Sequence, residues 1–113
     1  LENIDILYLA GLFDGEGCFY LGTQVKNGKS YPKAQILLGQ SGPDGLRLLE
    51  QIQHEYGGNL YHHLKIGQHK ATKDAYKLWW NKQEGIALIK LLLPHLRLKQ
   101  QEAQNVLDYL TRK

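Results

Sequence analysis

The stretch LYLAGLFDGEG, residues 7–17, constrains this chain more than any other part of it. Its first seven residues are apolar or small, with no charge to mark a solvent face. Then Asp14 and Glu16 arrive together with Gly15 and Gly17, residues suited to ending a helix. Carboxylates are favoured at the positive N-terminus of a helix, whereas its C-terminal end favours cations. An acid beside the last, unpaired carbonyls is a poor anion site and a good place for a hard cation, which takes oxygen ligands. The sequence therefore predicts a helix from Asn3 or Asp5 to Asp14 whose end carries a cation-binding acid.

The rest of the chain is of ordinary globular make-up. Its 113 residues suffice for one domain with a modest core, and 42% hydrophobic against 22% charged residues exclude a disordered chain. The longest apolar run, IALIKLLL at 86–93, is too short for a membrane span. No signal peptide is legible, and one cysteine, Cys18, excludes an internal disulfide and fits an intracellular protein. The net charge of +3 is unevenly placed: residues 17–41 carry +3 and residues 58–82 carry +4, leaving −4 for the remainder. Such concentration reads either as polyanion binding or as a solvated basic face.

Periodicity orders the chain as helix, two strands, helix, two strands and helices. In FYLGTQV, alternation puts Phe19, Leu21 and Val25 inward, with Tyr20, Gln24 and Lys26 outward. Asn27-Gly28 predicts a tight hairpin. The return strand points Ala34, Ile36 and Leu38 inward and Tyr31, Lys33, Gln35 and Leu37 outward, with Pro32 arguing for an edge or strand start. A helix opened by Pro43 and Asp44 and closed by Gly57 and Gly58 buries Leu48, Leu49, Ile52 and Tyr56. In NLYHHLKI, Leu60, Leu64 and Ile66 face in, while Tyr61, His63 and Lys65 face out; His62 reads as a hydrogen-bonded core histidine. In AYKLWWN, Tyr76, Leu78 and Trp80 face in and Lys77 faces out. Asn81 and Glu84 form a capping box for a helix through Leu93, Pro94 ends it, and Ala103, Val106, Leu107 and Leu110 line a final helix.

The outward strand faces thus gather Tyr20, Gln24, Lys26, Tyr31, Lys33, Gln35, Tyr61, His63, Lys65 and Lys77, with almost no acid. Amides, tyrosines and a histidine suit base edges, and lysines suit phosphates, so this face is expected to bind nucleic acid. There is no zinc spacing, no glycine-rich phosphate loop and no serine–histidine–acid arrangement.

LAGLFDGEG at 9–17 resembles the signature of the LAGLIDADG homing endonucleases. The order of elements resembles that family's repeat, and PHLRLKQQEAQNVL at 94–107 is similar to its C-terminal lysine segment. The resemblance implies a single α/β (α+β) domain over 1–113, built αββαββα, with a curved antiparallel sheet lying in the DNA major groove. A ten-residue strand, about 33 Å long, follows many base pairs. It further implies that the motif helices of two copies pack together in a homodimer through Leu7, Ala10, Gly11 and Asp14, with Ala10 and Gly11 at the closest approach. Glu16, assisted by the carbonyl of Gly15, matches the acid that binds Mg²⁺, or Mn²⁺ or Ca²⁺ in its place; here Glu stands where the family name has Asp. Asp14 would hold the helix end. Gln40 resembles a residue that positions solvent near the metal, and on its own reads equally as a turn glutamine. Lys99 matches the family's active-site basic residue, flanked by Arg97 and Gln101, where the family often has Lys at the latter position.

By this resemblance the chain is a metal-dependent endodeoxyribonuclease for intron homing. It would hydrolyse both strands of a long, nearly palindromic duplex across the minor groove and leave 3′ overhangs. Two other readings share the scaffold. One is an intron RNA-splicing maturase, with or without cleavage. The other is a non-cleaving DNA-binding regulator, a class that usually lacks the motif acid and appends a helix-turn-helix domain; neither trait holds here.

Overall fold

The computed structural model describes residues 3–112. Helix α1 (Ile6–Glu16) leads into β1 (Gly17–Lys26) and β2 (Lys29–Ser41), then α2 (Gly42–Tyr56), β3 (Asn59–Leu64) and β4 (Ala75–Trp79). Helix α3 (Lys82–Leu92), a short 3₁₀ turn and α4 (Gln100–Thr111) complete the chain. The four strands form one antiparallel sheet in the order β1-β2-β4-β3. This is the expected mixed architecture, with two helices after the last strand. Among the described residues no helix is long and apolar enough to cross a membrane.

Each boundary has a local cause. The Asp5 carboxylate accepts from the Leu7 N–H (2.6 Å) and starts α1, supplying one of the missing partners of the first turn. Ile4 just before it is tied to α2: its N–H donates to the Glu55 carboxylate (2.8 Å) and its carbonyl accepts from the Tyr56 hydroxyl (2.5 Å). The helix continues past Asp14, so both Gly15 and Glu16 are helical. Gly17 ends it with an ordinary φ of −91°, not the left-handed conformation in which glycine usually caps. Its need for glycine is steric, since a Cβ there would lie 2.3 Å from the Phe13 ring.

The hairpin is the one expected: Asn27 (φ 52°) and Gly28 (φ 76°) are both left-handed, as a two-residue type I′ turn requires, and Lys26 pairs with Lys29. Pro32 lies in the half of β2 that pairs with β1 alone, because β4 joins only at Leu37–Ser41, so no ladder bond to β4 is missing there. Asn81 caps α3 by accepting from the Glu84 N–H (3.0 Å); the Glu84 carboxylate in turn accepts from the Asn81 side-chain amide (3.3 Å) and the Gly58 N–H (3.4 Å).

The helices cover one face of the sheet. Phe13 stacks on Phe19 (centroids 5.1 Å apart) and tilts against Trp80 (5.6 Å), joining α1, β1 and the end of β4. Leu9, Ile36, Leu38, Leu49, Ile52, Leu78, Ile89 and Val106 fill the surrounding core. Burial along β1 stops at Phe19: Leu21 and Val25 share its face yet remain 42% and 68% exposed, against the expectation that they turn into the core. In β3 the alternation also breaks. A register shift between His62 and Leu64 sets Leu64 opposite Ala75, and Ile66, past the strand end, is 65% exposed. His62 is not a core residue either: it stacks on Tyr76 (4.7 Å) and meets the Asp74 carboxylate (3.2 Å) at the sheet edge, its side chain 35% exposed.

Candidate active site

At the end of α1 the two acids face different ways. Asp14 turns toward its own chain, where its carboxylate accepts from the backbone N–H groups of Arg97 (2.9 Å), Leu98 (3.0 Å) and Lys99 (3.1 Å). Burial pushes the Asp14 carboxyl up, but those three amides and the Lys99 charge outweigh it, so its pKa lies below the ordinary value. The turn before α4 is thereby fastened to the end of α1. That brings the Lys99 ammonium onto the Gly17 carbonyl, one residue beyond Glu16. A cation at this point opposes the negative end of α1. Asp14 thus ties the end of α1 to the segment that carries Lys99.

Glu16, exposed, has no hydrogen-bond or ion-pair partner among the described residues. It opens on a hollow of about 550 Å³ lined also by Cys18, Gly39, Gln40, His63, Tyr76 and Lys77. Glu16 and Gln40, 24 positions apart in the sequence, are thus brought together where β1 and β2 leave the helix ends. Lys99 approaches from behind, through Gly17. Arg97 and Gln101 do not join the hollow: both line a separate depression with Leu98, and the Gln101 amide donates to Asn105 along α4 (2.9 Å).

Among the described residues no three His, Cys, Asp or Glu side chains converge on a metal-sized space. The donors here are one free carboxylate and the carbonyl-bearing end of a helix, Gly15 included. That set fits Mg²⁺, which is held by one or two carboxylates and completed by water and phosphate oxygens. It does not fit a closed structural site.

The open face of the sheet carries the residues that alternation assigned to it. Tyr20 stands opposite Gln35, Gln24 opposite Tyr31, and Tyr61 opposite Lys77, with Lys33 and Lys26 on the same face. His63 sits in the β3 irregularity with its ring edge-on to Tyr61 (6.2 Å). Lys65 is the exception: it lies beyond β3, where its N–H donates to the Gln68 side chain (2.9 Å) in the following loop. Trp79 is a further member of this face that sequence reasoning missed. It is 41% exposed between Leu37 and Asn59, on the face of Lys77 two residues before it, and the same alternation would have found it.

On α1, Ala10, which the resemblance put at the closest approach of two copies, is turned into the chain's own core (1% exposed), and the Asp14 carboxylate is engaged within the chain. Leu7 (61% exposed), Tyr8 (53%), Gly11 and Gly15 form the outer face instead. A Cβ on either glycine would meet nothing within 4 Å. Tyr8, next to Leu7, joins this face although the motif itself gives no sign of it.

This fold recurs in known structures. It is similar to that of the homing endonuclease I-CvuI in complex with the I-CreI target, with a TM-score of 0.78 and 21% identity over 95% of this chain and 66% of that one. It is similar also to the homing endonuclease I-TnaI (TM-score 0.75, 18% identity, 96% of this chain and 73% of that one). A third likeness is the archaeal intron-encoded homing endonuclease I-Vdi141I complexed with DNA (0.69, 19% identity, 93% and 65%). The chain spans 66% and 64% of the lengths of the two I-CvuI chains it matches. No curated protein sequence matches it. The pattern of the LAGLIDADG endonucleases, however, runs through residues 9–113, nearly the whole length. The chain belongs to the LAGLIDADG endonuclease family.

Proposed function

We propose that this protein is a sequence-specific DNA endonuclease that acts as a homodimer and hydrolyses both strands of a long, nearly palindromic duplex with Mg²⁺. The observation that carries the reading is the hollow itself. A free carboxylate at a helix C-terminus and Gln40 open together onto the polar, basic face of a sheet.

Each part of the chain then has a task. Lys26, Lys33 and Lys77 meet phosphates, while Tyr20, Gln24, Gln35 and His63 meet base edges, so the sheet both holds the duplex and reads it. Glu16 and the Gly15 carbonyl hold the divalent ion, which when bound lowers the pKa of water and neutralises phosphate charge. The Gln40 amide orients the attacking water. Lys99, kept in place by Asp14, supplies a fixed positive charge behind Glu16 as negative charge builds on the phosphate. Water adds to phosphorus, the bond to the 3′ oxygen breaks, and that oxygen takes a proton to become a free hydroxyl. One chain provides one such set. The outer face of α1, apolar yet exposed, supports pairing with a second copy that provides the other, and a two-fold axis accounts for a near-palindromic target.

The test starts from duplexes selected for binding out of a randomised pool in the presence of a chelator. On adding Mg²⁺, strand-resolved gels should show both strands cut at fixed positions. Selected duplexes that stay intact in Mg²⁺ would overturn the nuclease reading and leave a binding protein.

A further inference from the structure

Lys77 lines the hollow with Glu16, and Lys99 reaches the Gly17 carbonyl beside it; the two cations stand in different circumstances. Lys99 is committed: its ammonium donates to the Gly17 carbonyl, and its backbone N–H is held by Asp14. Lys77 lines the same hollow as Glu16 and Gln40, and no hydrogen bond or ion pair engages its side chain among the described residues. Its path into the hollow runs over bare backbone. Gly39 is its partner across β2 and β4, and a Cβ on Gly39 would come within 3.8 Å of the Lys77 Cγ. With no side chain at Gly39, the Lys77 stem has bare backbone as its cross-strand neighbour where it lines the hollow with Glu16. The neighbouring positions do not duplicate it: Lys33 is well along β2 from Gly39, and Lys65 lies past the end of β3.

Resting on the nuclease reading above, we propose that Lys77 contacts a non-bridging oxygen of the phosphate being cleaved, and so acts in the reaction itself. The other sheet lysines act only in holding the duplex. The chemistry favours this division. Phosphoryl transfer builds charge on the non-bridging oxygens, and a free ammonium in a partly enclosed hollow stabilises that charge far more than one in open water. A lysine that touches phosphates along the flanks contributes affinity and salt dependence and nothing to the rate once DNA is saturating. Lys77 thus belongs with Glu16 and Gln40, while Lys33 belongs with the binding surface.

The experiment compares wild type, Lys77→Ala, Lys77→Arg and, as a charge control, Lys90→Ala, an exposed lysine on α3 outside the sheet, on one duplex selected for binding to the wild-type protein. Affinity is measured in chelator, and the single-turnover cleavage rate is measured in Mg²⁺ at saturating protein. Lys77→Ala should cut at least about tenfold more slowly at saturation, Lys77→Arg should recover most of that rate, and Lys90→Ala should cut at the wild-type rate. Wild-type cutting with an unchanged saturated rate in Lys77→Ala overturns this inference and leaves the nuclease reading intact. So does an equal rate loss in Lys90→Ala, which would make the effect one of general charge. A wild-type protein that cuts nothing overturns both.

Discussion

Asp14 and Glu16 are two residues apart at one helix end and do opposite work, because of what each meets. Asp14 finds three backbone N–H groups, and Glu16 finds open space. This makes Asp14 a stability residue with a pH signature. Its pKa is depressed in the folded chain below the ordinary 3.8, so its stabilisation is fully present above that value and disappears as pH falls through the folded value. Asp14→Asn should therefore lower stability by about 1–2 kcal/mol near neutral pH, the scale of removing a helix cap, with the gap to wild type closing below about pH 4. Denaturant melts of the two proteins across that range check it; a gap that persists undiminished in acid would remove Asp14 from this role. Gly17 is a second residue whose reason is local. Gly17→Val would drive a side chain into the Phe13 ring and should destabilise the fold by at least about 1–3 kcal/mol, as overpacking does, although its φ suits any residue. A thermal melt at wild-type level would show that the Phe13 ring can move aside.

At the scale of elements, the sheet divides its labour by residue type. Lys33→Ala should weaken binding to all duplexes and reduce the salt slope of log affinity by up to about 0.9 for each phosphate it no longer neutralises. Gln35→Ala should instead change which duplexes are accepted. Titrations over salt and over a panel of target variants separate the two, and identical behaviour would end the claim of base readout. Elements also show what a sequence can tell. The hairpin, the α3 cap and the burial of Ile36, Leu38, Leu78 and Trp80 were legible because each follows from one local rule: left-handed residues in a type I′ turn, a side chain capping its own helix, period-two alternation. What was not legible depends on partners distant in the chain. The shift between His62 and Leu64 is set by pairing with β4, and it exposes His62 at the edge and ends the strand before Lys65. Which side of α1 faces the core could not be read from an apolar run with no polar stripe; in the structure Ala10 lies inside, and Tyr8, which the sequence did not single out, lies outside. The site followed the same division. Glu16 and Gln40, singled out by the family resemblance, line one hollow; Trp79 lay within reach of the alternation that placed Lys77 on its face, whereas the partnering of Asp14 with the turn before α4 emerged only from packing.

At the scale of the whole molecule, the described residues Leu7, Tyr8, Gly11 and Gly15 form an exposed, mostly apolar face along the outside of α1. In the proposed homodimer this face packs on itself, with the two glycines allowing close approach. Gly11→Leu fills space that is open in the single chain and blocked in the pair. It should leave the melting temperature of the isolated chain nearly unchanged but shift light scattering from dimer to monomer and abolish double-strand cleavage. A monomer that still cuts both strands would remove the homodimer. The central claim, that chemistry is centred on Glu16 while the sheet alone holds the DNA, meets its most direct test in Glu16→Gln. The decisive measurement is single-turnover cleavage by this variant in Mg²⁺, on a selected duplex, at protein concentrations shown to saturate binding. The predicted result is wild-type affinity in chelator with no detectable cutting of either strand; cleavage at a rate near wild type would contradict the account.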